Sequence, residues 1–173
     1  MATPPLKRRS FLKLGIASAV VLAIGGGAVA LMKPGLVDGK LSPSARTVMA
    51  KIGQAMLLGT LPTEPAALQA STDALLLRTD TFLAGLPLHV VAELDQLLAL
   101  LISAPGRRLL VGLSSSWEDA TTAEMGAALQ AMRNSGLALR IQAYQGLHDI
   151  VCAPYFSGEE SWKVLGYPGP LAL

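Results

Sequence analysis

The chain is poor in the residues from which most catalytic and metal sites are built. It holds one cysteine, Cys152, and two histidines, His89 and His148, among 173 residues. A single cysteine rules out an intramolecular disulfide and any paired-cysteine metal knuckle. Aromatic residues make up 5% of the chain and charged residues 15%, and no basic patch with interleaved aromatics offers itself to nucleic acid. The formal charge of +2 is unevenly placed. Four of the fourteen Lys and Arg residues (Lys7, Arg8, Arg9 and Lys13) fall in the first thirteen positions, and no Asp or Glu precedes Asp38. Without residues 1–30, ten basic residues face twelve acidic ones. The remainder is mildly acidic and has no pull toward polyanions.

What the chain does have is Leu and Ala throughout, a mean hydropathy of +0.47, and one compact apolar segment near its start. Residues 14–31 (LGIASAVVLAIGGGAVAL) carry no charge and follow KRRSFLK directly. A basic region, an apolar region and a small-residue cleavage site together define an export signal. Ala28-Val29-Ala30 supplies the A-x-A pattern, so cleavage is expected after Ala30. Arg8 and Arg9, followed by Phe11, Leu12 and Lys13, resemble the twin-arginine export motif, with Lys7 where Ser or Thr is usual. A basic cluster before any membrane helix would satisfy the positive-inside rule, but that leaves Phe11, Leu12 and Lys13 unexplained. If uncut, residues 14–31 are near the lower length limit for a membrane anchor. Either way the bulk of the protein is expected outside the cytoplasm, periplasmic and membrane-associated.

Residues 31–42 hold Pro, Gly and no periodicity, and read as a linker. Helical spacing then takes over. Ser42-Pro43-Ser44 reads as a helix start, with Val48, Ile52, Ala55 and Met56 along one face. A second helix is expected over 64–85 and a third over 87–103, the third so rich in Leu and Val that it should be central. Arg107 to Leu113 reads as a short helix or turn. Ser116 is expected to cap a further helix with Trp117, Glu118 and Asp119 in its first turn. A last helix is expected from Leu137 to about Ala153. The fold class is all-α, an irregular bundle of about five helices over 43–153, between the signal segment (1–30) with its linker and an aromatic tail (154–173).

No catalytic constellation emerges. His89 and Glu93 are four apart, and His148 and Asp149 are adjacent. A metal site would need all four to converge from separate elements, so none is assigned. Cys152 on an apolar helix face reads as packing. No glycine-rich phosphate loop follows a strand, Gly25 to Gly27 sit inside the export segment, and no cofactor is assigned to this chain.

The tail, APYFSGEESWKVLGYPGPLAL, holds Tyr155, Phe156, Trp162 and Tyr167 within thirteen positions. Aromatics braced by Pro168 and Pro170 suit a partner-binding arm; they suit equally a tail folded back to close the core. The phrase PYFSGEESWKVLGYPGP resembles the C-terminal end of the gluconate 2-dehydrogenase subunit 3 family, which ends near W-x-x-x-G-Y-P-G. Here that ending is Trp162, Gly166, Tyr167, Pro168 and Gly169. The resemblance implies a helical, non-catalytic small subunit carrying a twin-arginine signal. It also implies a partner: an FAD-dependent dehydrogenase large subunit of the glucose-methanol-choline type, often joined by a multihaem cytochrome c. Arg8 and Arg9 would be read by the twin-arginine translocase. Without that partner, the same features describe a stand-alone exported or anchored helical module.

Overall fold

The computed structural model describes residues 32–169, and Arg8, Arg9, Phe11, Leu12, Lys13, Ala28 and Ala30, which the sequence suggests form an export signal, lie outside them. Five helices of twelve residues or more make up the bulk of the described chain: α1 (Pro43–Met56), α2 (Pro65–Ala84), α3 (Leu88–Ile102), α5 (Thr122–Arg133) and α6 (Ala138–Phe156). Between α3 and α5 a one-turn helix, α4 (Ala104–Gly106), runs into a π-helical turn at Arg107–Val111. A short α7 (Glu159–Leu165) follows α6. The fold is an all-α irregular bundle, as the helical periodicity implies.

Local chemistry sets most boundaries. Ser42 Oγ accepts the Ala45 N–H to cap α1, with Pro43 in the first turn, where its missing donor costs nothing. Glu64 does the same for α2, accepting from Ala66 and Ala67, and these bonds hold its carboxyl below the usual carboxylate range. The largest departure from sequence expectation lies at α5. Ser116 does not start a helix; its hydroxyl closes a turn with Asp119. The helix begins six residues later, where Thr121 and Glu124 form a reciprocal capping box that satisfies two donors at once. Trp117 is freed from the helix and buried, its indole N–H donating to the Leu101 carbonyl at 2.9 Å. Lys51 of α1 ties the same turn down through the carbonyls of Glu118 and Ala120.

Residues assigned above to the linker also turn out differently. Leu36–Val37 (β1) and Lys40–Leu41 (β2) pair antiparallel through a two-residue turn at Asp38-Gly39. Both turn residues have positive φ, 52° and 74°, the geometry that matches the twist of paired strands.

The centre of the bundle is α1, which packs against α2, α3, α5 and α6. Its Ala45, Val48, Met49 and Ile52 are essentially inaccessible. The third helix is less central than its composition implies. It contributes Leu94, Leu98, Ala99 and Leu101 to the core, whereas Leu88 is exposed and Val90, Val91, Leu97 and Leu100 are half-buried. The chain bends by 87° from α3 into α4. At the bend Gly106 presses on the Leu100 carbonyl so closely that no Cβ fits. The π turn leaves carbonyls unpaired, and Arg140 of α6 supplies the donors, to Leu110 at 2.8 Å and Val111 at 3.2 Å. Among the described residues no single helix is long and apolar enough to cross a membrane.

Candidate partner-binding surface

The last helix of the bundle and the tail that follows it hold the residues singled out by sequence. Helix α6 buries Ala143, Leu147, Ile150 and Val151, the face that helical periodicity assigns inward. It runs past Ala153, through a buried Pro154, to Phe156. Proline is tolerated in this last turn at the loss of one intrahelical bond. Tyr155 is consequently a core residue, 6% exposed, with its hydroxyl donating to the Thr60 carbonyl at 3.0 Å. Its ring meets Phe156 edge-on at 5.1 Å. Of the four tail aromatics, then, Tyr155 closes the bundle and is not presented to a partner.

Trp162 and Tyr167 are organised by the end of α7. Gly166 takes a left-handed conformation, φ 68°, and its N–H bonds to the Lys163 carbonyl. The Tyr167 N–H reaches back to the Trp162 carbonyl at 2.8 Å. This paired 5→2 and 6→1 pattern is a Schellman cap, and the apolar contact expected with it runs between the residues that stand here as Trp162 and Tyr167. Their rings meet edge-on at 5.6 Å. Gly169 lies over the Trp162 ring, where an added Cβ would sit 3.6 Å from it, and the indole N–H points to the Phe156 carbonyl at 3.3 Å. The spacing W-x-x-x-G-Y-P-G thus has a local physical cause: an aromatic at the cap's third-last position, glycine for the left-handed turn, an aromatic to cover the first, then proline. Tyr167 is left 48% exposed beside Val164 at 54% and Leu165 at 58%. Val164 and Leu165 are not among the residues the sequence singles out, because the tail is picked out there by its aromatics alone; the glycine four residues after Trp162 is the available signal.

A second feature adjoins this end. Tyr144, His148, Cys152 and Phe156 recur every four residues along α6 and line a groove of about 330 Å³ with Met56 and Leu57 from the end of α1 and Leu129 and Gln130 from α5. His148 Nδ1 lies 3.2 Å from the exposed Asp149 carboxylate, and its ring is 6.2 Å from that of Tyr144. Burial, and then the charge of Asp149, push the Cys152 thiol up. The groove therefore holds a neutral thiol at neutral pH, a poor nucleophile. His89 stands exposed at the start of α3, remote in sequence from this groove and absent from its lining. Among the described residues no three His, Cys, Asp or Glu side chains are placed to hold a metal ion.

Compared with protein-family models, curated proteins and solved structures, the chain matches none.

Proposed function

We propose that this chain is a non-catalytic small subunit that escorts a folded FAD-dependent dehydrogenase through the twin-arginine pathway and stabilises it in a periplasmic, membrane-associated complex. The observation that carries this reading is the pairing, in one chain, of KRRSFLK before an apolar segment with the ending SWKVLGYPGP. The arrangement of the tail supports it. A short capped helix offers Val164, Leu165 and Tyr167 outward, and aromatic and aliphatic side chains on a braced element are the usual anchors of an interface.

The physical logic is one of order. A flavoprotein that acquires FAD before export must cross the membrane folded, and a bound subunit bearing Arg8 and Arg9 supplies the address. FAD belongs to the partner, and a cytochrome c subunit is the third member that such complexes often add. Affinity purification of the full chain from its native membranes tests this directly. A yellow, flavin-containing large subunit that co-purifies and is lost on Tyr167→Ala with Val164→Ala supports the reading. A colourless chain without a partner supports instead a stand-alone exported helical module.

A further inference from the structure

The segment between the export signal and the bundle is clamped to the bundle by two carboxylates. Asp95 of α3 accepts the Leu36 N–H at 2.7 Å, and Asp80 of α2 accepts the Leu41 N–H at 2.8 Å. Asp80 is 8% exposed and pairs at 2.6 Å with Arg46 of α1, so one carboxylate joins the hairpin, α1 and α2. The Ser42 N–H closes the base of the hairpin on the Gly35 carbonyl at 2.9 Å. Gly35 itself lies flat on α3: an added Cβ would collide with Leu98 Cβ and stand 2.6 Å from the Asp95 carbonyl oxygen.

A two-stranded hairpin this short has no stability of its own in water. The side-chain bonds that tie residues 35–42 to the bundle come from helices whose contributing residues lie 59 and 39 positions further along the chain. The hairpin can dock only after α1, α2 and α3 have assembled, because Asp80 and Asp95 meet at its two strands only then. Undocked, it releases Leu36 and Leu41 next to an apolar export segment.

We infer that this hairpin is a fold-sensing strap: docking of residues 35–42 reports to the export machinery that the helical domain is folded. The inference rests on the twin-arginine reading proposed above. The strap converts a distributed property, assembly of three helices, into a local one just past the end of the export segment. An undocked strap leaves the Leu36 and Leu41 side chains uncovered ahead of the bundle, as an unfolded passenger would.

Two variants of the full chain release the strap by different physics. Gly35→Ala forces it off α3 sterically and alters no residue of the bundle. Asp80→Asn with Asp95→Asn weakens the charge-assisted bonds. Each is read by trypsin cleavage after Lys40, by circular dichroism, and by the fraction of the chain recovered in the periplasm. We expect cleavage about tenfold faster, unchanged helicity for Gly35→Ala, and an exported fraction several-fold lower. Unchanged cleavage in both variants would show that the carboxylates and Gly35 do not hold the strap. Faster cleavage with undiminished export would show a clamp that reports nothing. Either overturns the inference and leaves the export reading standing. Undiminished export of Arg8→Lys with Arg9→Lys would instead remove that reading, and the strap's role with it.

Discussion

At its N-terminal end the described chain is held by residues far away in sequence, and beyond Phe156 its tail is braced by hydrogen bonds and ring contacts between residues no more than seven positions apart. The hairpin depends on Asp80 and Asp95. The tail beyond Phe156 depends on the indole bond from Trp162 to Phe156, on the Trp162–Tyr167 ring contact and on a cap formed within α7. The energetic consequence differs. A long-range clamp cannot outlast the helices that form it, so it is lost whenever the bundle opens. A locally capped helix opens by itself and exchanges its amides early. The N-terminal end of the described chain, residues 35–42, is therefore tied directly to the core. The end carrying exposed Tyr167, Val164 and Leu165 keeps the freedom that the proposed partner-binding role asks of it.

The sharpest way to break this contrast is to remove the charged clamp. Asp80→Ala leaves the Leu41 N–H and the Arg46 guanidinium without their acceptor and should destabilise the whole bundle by about 2–3 kcal/mol in urea unfolding. A loss confined to the hairpin would contradict the long-range account. Next in size is Tyr155→Phe. Tyr155 marks where long-range anchoring ends, because its hydroxyl reaches Thr60, 95 positions away. Deleting that hydroxyl should cost about 1 kcal/mol of global stability, visible as a lower urea midpoint at unchanged slope. Gly166→Ala should act on the tail alone. Alanine at φ 68° strains the cap by about 1 kcal/mol. Trp162 fluorescence in a Trp117→Phe background should report a loosened α7 while the global midpoint stays put; a shift of that midpoint would join the tail to the core.

The smallest effect concerns the local capping box at α5. Bonds from the Thr121 N–H and hydroxyl hold the Glu124 carboxyl below its usual range. A depressed folded value means the stabilisation is complete above the ordinary carboxylate range. It is lost as pH falls through the folded value. Acid should fray the first turn of α5 before the bundle unfolds, read from amide shifts of Thr121 and Glu124. Fraying that begins at neutral pH would contradict the assignment.

Much of this architecture was legible because caps and periodicity agree. Pro43 behind Ser42 sets the start of α1, and Glu64-Pro65 with the Leu spacing of 64–85 sets α2 almost to the residue. Legibility failed where two local signals competed or where order comes from afar. Ser116 and Thr121 both offer capping oxygens, and Thr121 prevails through Glu124 and the burial of Trp117. The hairpin carried a legible turn in Asp38-Gly39, but its strands are two residues each, too short for any alternation to show. Composition misplaced the centre of the bundle, since the Leu- and Val-rich α3 is covered on one side only while α1, with fewer large apolar residues, is surrounded. The tail aromatics were legible as a group; their division into a core Tyr155 and an outward Tyr167 depends on whether the helix continues through Pro154, which no local signal decides.

The central claim is that Arg8 and Arg9 address a larger folded partner as well as this chain. Its most direct test replaces both with Lys in cells that express the flavoprotein partner and follows where the flavin enzyme accumulates. The account predicts that both proteins remain in the cytoplasm, with the flavoprotein folded and FAD-loaded. A flavoprotein that still reaches the periplasm while this chain stays behind would contradict it.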